Sequence, residues 1–338
     1  MGGVLSARFI QYGLGPIGVE VAALALRRGH QLVAAVDIDP AKAGKPVGAL
    51  LATAPPGVIV ASRAGDVVNT GADVVLHCTQ SLLAQVLPQL LPLVDAGLSV
   101  ISTCEELAFP WHHFPAKAAE LDSLARSRGA VVVGLGVNPG FVMDLLPVVL
   151  TAPCSDVRGV VVERIVDVAG RRLPLQRKVG VGLTTDAFRA GVKGGTIGHV
   201  GLPQSVAMIA HGLARPLERI EESIDPVVGS NARVLGLHQI SRGFLDATPF
   251  ITLDITMAMG ADHPCDRITI DATPPIHAII EGGLQGDLAT YAIVVNAIGT
   301  VLASPPGLLT ALQLPALSLS RHGPAPSVKM PGPRAKTS

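Results

Sequence analysis

Apolar residues in the first 140 or so positions come mostly in short unbroken runs rather than in alternation. ARFIQ (7–11), QLVAAVD (31–37), GADVVLHCT (71–79), GLSVIST (97–103) and GAVVVGLG (129–136) are all of this kind. Continuous β-branched and small apolar runs predict parallel strands covered on both faces. Helical spacing is expected after residue 15, over 82–96 despite Pro88 and Pro92, and over part of 112–129. Alternating strands and helices predict an α/β layer.

The pattern changes at GVNPGFVMDLLPVVL (136–150). Asn138, Pro139 and Gly140 predict a turn, with a helix starting near Phe141. DVRGVVVERIVDV (156–168), FITLDITMAMG (250–260) and DRITIDA (266–272) alternate in part, which predicts an open sheet with one covered face. A helix is expected over 203–214. DLATYAIVVNAIGTVLA (287–303) predicts a long buried helix that returns to the first layer. From residue 318 proline, serine and basic residues replace the periodicity, so 318–338 is expected to be a disordered tail.

One loop lies where the first strand becomes a helix. In YGLGPIG, Gly13, Gly15 and Gly18 are spaced as GxGxxG, with Pro16 and Ile17 completing the turn. The first glycine permits a tight turn, the second lets backbone approach a pyrophosphate, and the third lets helix and strand pack closely. The second strand ends at Asp37, the usual place for a carboxylate on the adenosine ribose. The expectation is a Rossmann-type parallel sheet domain binding NAD or NADP. Asp37 favours NAD, because its charge repels a 2′-phosphate, although Lys42, Lys45 or Arg63 can come near it. Cys78, Thr79, Thr103 and Asn138 fall at the carboxyl ends of strands or just beyond, where cofactor contacts collect. His77 is read as a packed strand-end residue or a cofactor-side contact. The chain divides into 1–137 (dinucleotide binding), 138–286 (an α+β substrate and dimerisation domain), 287–317 (a helical return) and the tail.

Composition narrows the alternatives. The 338 residues carry zero formal charge, 49% hydrophobic and 15% charged residues, 37 glycines and 3% aromatics. Close helix–sheet packing and a large apolar subunit interface fit this composition. The apolar runs are too short and interrupted for membrane spans, and no basic-then-apolar leader opens the sequence. Cys78, Cys104, Cys154 and Cys265 have neither CxxC nor zinc spacing. A cytoplasmic protein is expected, with free thiols, no metal site, and no nucleic-acid or membrane partner.

Candidate chemistry centres on VISTCEELAFPW (100–111), where Glu105 and Glu106 stand side by side just past an apolar strand. Each is either a helix-start carboxylate or an acid–base group above the cofactor site. Phe109, Trp111, Phe141 and Met143 can wall an apolar pocket or belong to the core. His199, between Gly198 and Gly201, and Arg177 are further substrate-binding candidates.

The combination of STCEEL, VNPGF and GHVGLP, with YGLGPIG, ADVVLHCT and GDLATYAIVVNAIG, resembles the 2,4-diaminopentanoate dehydrogenase family, which includes related native amine dehydrogenases. The resemblance runs from about residue 7 to 315. More distantly, the two-domain plan looks like dihydrodipicolinate reductase, without that enzyme's basic substrate cluster. The resemblance implies a homodimeric NAD(P)-dependent enzyme interconverting a small or medium primary amine and a ketone or aldehyde plus ammonia. The alternatives are a diamino acid substrate, as for 2,4-diaminopentanoate dehydrogenase itself, or a non-catalytic dinucleotide-binding protein. It implies a catalytic carboxylate in the Glu105–Glu106 pair without choosing between the two.

Overall fold

The computed structural model describes residues 6–230 and 232–319. From residue 320 on, the tail expected to be disordered lies outside the described residues. The first half of the chain forms β1 (Arg8–Tyr12), α1 (Pro16–Arg27), β2 (Gln31–Val36), the two-residue β3 (Val60–Ala61), β4 (Val74–His77), α2 (Leu83–Asp95), β5 (Ser99–Ser102), α3 (Pro115–Arg128) and β6 (Val131–Gly134). These strands are parallel in the order β3-β2-β1-β4-β5-β6. This is the doubly wound order, in which the chain reverses between β1 and β4 and leaves a crevice at their carboxyl ends.

Both faces of this sheet are dry, which explains the unbroken apolar runs. Phe9, Val74, Leu76, Ile101 and Val133 face α1, packing with Val21, Ala22 and Ala25. Ile10, Val75, Val100 and Val132 face α2 and α3, meeting Val86, Leu90, Leu93 and Leu121. Helix α2 runs through Pro88 and Pro92. An internal proline costs about 3 kcal/mol. Burial of Leu83, Val86, Leu87, Leu90, Leu93 and Val94 at roughly 1.5–3 kcal/mol each outweighs that cost.

The second half forms α4 (Leu145–Leu150), β7 (Asp156–Asp167), α5 (Leu173–Lys178), α6 (Thr185–Lys193), α7 (Leu202–Gly212), β8 (Arg219–Val228), β9 (Val234–Leu245), β10 (Thr248–Ala258), β11 (Cys265–Thr273), β12 (Ile276–Glu281), α8 (Gly286–Leu302) and β13 (Gly307–Leu309). A mixed sheet runs β12-β11-β7-β10-β9-β8, with β7 and β10 parallel and the other neighbours antiparallel. Val160, Val162, Ile251, Leu253, Ile255 and Ile268 form its inner face and share a core with Leu202, Val206 and Ile209 of α7. On the opposite face Val161 and Ile279 are exposed, and Arg267 pairs with Glu163 at 2.7 Å. One face is covered and one is open, in line with the partial alternation. The chain then returns to the first layer. Tyr291, Val294, Ile298 and Val301 of α8 join the core beside α1, and β13 pairs parallel with β6.

The helix expected near Phe141 begins only at Leu145. Residues between are held as a loop by the buried Asp144, which accepts from the Gly140 N–H (2.8 Å), the Leu145 N–H (2.6 Å) and the Ser205 hydroxyl (2.8 Å). Strands β8, β9 and β12 were not foreseen: the charges of RIEESIDPVV hide its weak alternation, glycines and polar residues interrupt β9, and β12 is short and half-exposed. Helices α5 and α6 are short and sparsely buried. Among the described residues, no helix is long and apolar enough to cross a membrane. All four cysteines are free.

Candidate active site

The carboxyl ends of β1, β4, β5 and β6 meet the central strands β7 and β10 of the second sheet around one cavity. Its construction starts with the glycine loop. Gly13 has φ +88°, and its N–H donates to the Val36 carbonyl at 2.8 Å. A Cβ on Gly13 would fall 2.3 Å from the Cys78 carbonyl oxygen, and one on Gly18 would fall 1.9 Å from the Gly13 oxygen. Those two glycines are demanded by the protein's own packing. Gly15 differs, since nothing lies within 4 Å of where its Cβ would stand. It opens space above the start of α1, where Pro16 occupies the first turn and no side chain caps the helix. Open space plus uncapped N–H groups fits the pyrophosphate of a dinucleotide.

Asp37 closes the far end of this cradle. Its carboxylate accepts from the Leu14 N–H (2.8 Å), the Asp39 N–H (2.9 Å) and Lys42 Nζ (3.0 Å). Burial alone would push the carboxyl up, but the bonds from Asp39, Lys42 and Leu14 outweigh it and hold Asp37 below its ordinary value. Its charge is therefore already met by Lys42, which weakens the expected repulsion of a 2′-phosphate.

The cavity beyond has a volume of about 350 Å³. Gly15, Pro16, Ile17, Cys78, Thr79, Thr103, Glu105, Asn138 and His199 all line it, so these sequence candidates do converge. Gly13 and Gly18 lie beneath, shaping the loop. Four cations missed in the sequence also line it: Arg164, Arg171, Arg172 and Lys178. They come from β7, the loop after it and α5. No local spacing marks them as site residues; the adjacent arginines after an apolar strand were the one available signal.

The two glutamates point to different places. Both start the 3₁₀ turn Glu105–Ala108, which lies directly on the end of β6; a Cβ on Gly134 would fall 2.5 Å from the Leu107 carbonyl carbon. Glu106 Oε2 accepts the Leu83 N–H at 2.6 Å and so caps α2. It is absent from the cavity wall. Glu105 lines the cavity, with Oε1 3.6 Å from Lys178 Nζ, and Lys178 also reaches Ser81 Oγ at 3.4 Å. Behind Glu105, burial drives the His77 imidazole down to about 4. His77 bonds Gln89 Oε1 and Ser102 Oγ, each at 2.9 Å. Gln89 Oε1 can only accept, so Nε2 carries the proton and Nδ1 accepts from the Ser102 hydroxyl. Ser102 Oγ in turn accepts the Cys104 N–H at 3.1 Å, fixing the backbone just before Glu105. His77 is thus a supporting residue. Burial pushes the Cys78 and Cys104 thiols up to about 11 and 12, so neither is a nucleophile at neutral pH.

Three separated motifs meet here. A Cβ on Gly201 (φ +104°) would fall 2.3 Å from Pro139 Cγ and 3.2 Å from Glu105 Cβ. Only glycine lets the GHVGLP loop pass over the VNPG turn beside Glu105. The His199 backbone is held from both sides by Gln239, whose side chain accepts its N–H and donates to its carbonyl, each at 2.8 Å. Burial, then the charges of Lys178 and Arg164, press His199 down to about 3, so it is neutral near pH 7. Its Nε2 lies 3.1 Å from Asn138 Nδ2, which also donates to Met143 Sδ at 3.1 Å.

The remaining candidates sit elsewhere. Met143 is fully buried behind Asn138, and Phe141 packs against the second-domain core. Phe109 and Trp111 pack with tilted rings, centroids 5.5 Å apart, in a separate surface cleft with His211. The aromatic FPW segment therefore does not wall the cavity. Arg177 lies on a shallow surface between α5 and α6. Each follows its element's apolar face or solvent side, which the local sequence did not reveal.

Comparison with known proteins agrees with this architecture. Residues 141–322, more than half of the chain, match the 2,4-diaminopentanoate dehydrogenase C-terminal domain. The chain is 30% identical over 333 residues to 2,4-diaminopentanoate dehydrogenase of Acetoanaerobium sticklandii, covering 91% of this chain and 93% of that one. The solved amine dehydrogenase from Mycobacterium smegmatis superimposes with a TM-score of 0.83 at 24% identity, covering 94% of this chain and 98% of that one. The WlbA dehydrogenase from Bordetella pertussis, solved with NADH and UDP-GlcNAcA, shares the fold at a TM-score of 0.52 and 16% identity, covering 81% and 74%. The chain belongs to the 2,4-diaminopentanoate dehydrogenase family of NAD(P)-dependent oxidoreductases acting on amines.

Proposed function

We propose that this chain oxidatively deaminates a diamino acid of the 2,4-diaminopentanoate type, using NAD or NADP, with Glu105 as the acid–base residue. The observation that carries this reading is Glu105 lining the cavity beside Lys178, with Arg164 on the same wall. Arg164 is itself paired with the buried Asp266 and Lys178 with Glu105. Counted with Arg171 and Arg172, however, the cations lining the cavity outnumber its carboxylates, a surplus that disfavours a simple alkylammonium and favours a substrate bringing its own carboxylate. This reverses the order of the two substrate readings drawn from sequence, where a simple primary amine came first. The family relative points the same way.

Glu105 accepts a proton from the substrate ammonium, because only a free nitrogen lone pair lets hydride leave the adjacent carbon. A nicotinamide cofactor held at Gly13–Gly18 supplies the acceptor for that hydride. With its side chain 23% exposed, Glu105 then passes its proton to solvent. As carboxylate again, it steadies the iminium and accepts a proton from the attacking water. That proton goes on to nitrogen, and as ammonia departs the freed carboxylate takes the hydroxyl proton, leaving the carbonyl. Lys178 fixes the carboxylate from the side, and neutral His199 does not compete as a base. In the reverse direction the same glutamate protonates the carbinolamine oxygen, so that water leaves.

The test is nicotinamide absorbance with 2,4-diaminopentanoate and with 2-aminobutane, each with NAD and NADP. Turnover of the diamino acid at a much higher kcat/KM is expected. Turnover of 2-aminobutane alone would return the reading to a simple amine dehydrogenase; none with either would favour a binding protein. A homodimer belongs to the same proposal. The uncovered face of the second sheet carries exposed Val161 and Ile279 among paired charges, a surface suited to a second copy. Light scattering should give twice the chain mass.

A further inference from the structure

The loop that follows β7 carries Arg171 and Arg172, and both guanidinium groups converge on one carboxylate. Arg171 Nη2 lies 3.0 Å from Asp287 Oδ1, and Arg172 Nε lies 3.1 Å from Asp287 Oδ2. Two cations on one anion leave a surplus positive charge. The arrangement is built rather than incidental: a Cβ on Gly286 would fall 2.9 Å from Arg171 Nη2, so glycine makes room for the guanidinium. Arg171 Nε is sealed from solvent and has no hydrogen-bond partner among the described residues. A buried donor left unpaired costs about 1–3 kcal/mol, an expense consistent with a group that completes its bonding with a ligand.

The position of the pair says which ligand. Arg171, Arg172, Gly286 and Asp287 line the same cavity as Gly15, Pro16 and Ile17, the open start of α1. Asp287, which holds the pair, stands in the first turn of α8, the helix whose Tyr291, Val294 and Ile298 pack in the same core as Val21, Ala22 and Ala25 of α1. Glu105 is held instead by Lys178, from α5. We propose that Arg171 and Arg172 clamp the pyrophosphate of the dinucleotide against α1, with Asp287 as the latch that occupies them until it binds. This rests on the dinucleotide reading of the glycine loop and extends it across the domain boundary. The second domain then closes over the cofactor by direct ion pairing, and the fork of each guanidinium matches two phosphate oxygens.

The test is cofactor binding without substrate, followed by the fluorescence of NADH and of NADPH on titration with the full chain. Arg172→Ala should raise both dissociation constants about tenfold and flatten their dependence on salt. Arg171→Lys, which keeps the charge but loses the fork, should raise both less steeply. Asp287→Asn should act in the opposite direction, tightening both about threefold by releasing the arginines; general damage to the fold would not strengthen binding. Unchanged cofactor affinity in Arg172→Ala with a raised KM for the diamino acid would overturn the clamp and assign the arginines to the substrate carboxylate. Weaker binding in Asp287→Asn would overturn the latch. If the wild type binds neither NADH nor NADPH, the dinucleotide reading itself falls, and the clamp with it.

Discussion

Lys178 Nζ lies 3.6 Å from Glu105 Oε1, joining α5 of the second domain to the turn that ends β5 in the first. The pair brings a cation and a carboxylate into one cavity from segments far apart in sequence. Glu106, next along the chain, faces the other way and caps α2.

The glutamates should therefore separate in mutagenesis. Glu105→Gln is expected to lower kcat by about 10²–10⁴ while leaving dinucleotide affinity nearly unchanged. Glu106→Ala is expected to keep kcat within about threefold and to lose about 1 kcal/mol of stability through the missing cap. Steady-state rates, cofactor titration and denaturant unfolding distinguish the two. Equal kinetic losses would refute the assignment of Glu105.

The glycines divide similarly. Gly15 has φ −72°, which alanine adopts freely, and its Cβ would meet nothing. Gly15→Ala should leave stability within about 0.5 kcal/mol yet weaken dinucleotide binding at least about tenfold, because the methyl group occupies pyrophosphate space. Gly18→Ala should destabilise the fold itself, since its Cβ meets the Gly13 oxygen at 1.9 Å. A stable Gly18→Ala with normal binding would contradict the packing described.

Lys42 bears on the choice between NAD and NADP. Removing it leaves Asp37 with its backbone donors but without its cation. Lys42→Ala should weaken NADPH binding about tenfold and change NADH binding by less than about threefold. Parallel changes in both constants would show that Lys42 does not act at the 2′ position.

Stability should fall on the acid side. Burial lowers the His77 pKa from 6.5 to about 4, so the unfolded chain binds this proton first. His77 thus stabilises the fold fully above pH 6.5, and that contribution is lost as pH falls toward 4. The full loss is on the order of 3 kcal/mol. Unfolding free energy measured from pH 7 to 4 should drop more steeply for the wild type than for His77→Gln. Matching slopes would exclude this histidine as the source.

Five strands of the first sheet, β1, β2, β4, β5 and β6, were legible because they are buried on both faces, so local composition alone marks them; β3 and β13, two and three residues long, are too short to leave such a run. The glycine loop was legible because backbone geometry imposes a fixed spacing. Strand β8 was not, since its charged residues mostly face solvent. The start of α4 was misplaced because Asp144 holds the preceding loop through Ser205, on a distant helix.

By itself the sequence determined the parallel layer and the glycine cradle and marked Glu105, Glu106, Asn138 and His199 as separate candidates, since each leaves a local signature of period, spacing or motif. The tertiary structure alone decided which adjacent glutamate faces the cavity, that Met143, Phe141, Phe109 and Arg177 do not, and that Arg164, Arg171, Arg172 and Lys178 do. Neighbours in a tight turn point in different directions according to what packs against each. Side chains from separate elements meet only through the path of the whole chain. Gly201 illustrates both: its place in a motif was visible, but its reason, the contact with Pro139 beside Glu105, exists only in three dimensions.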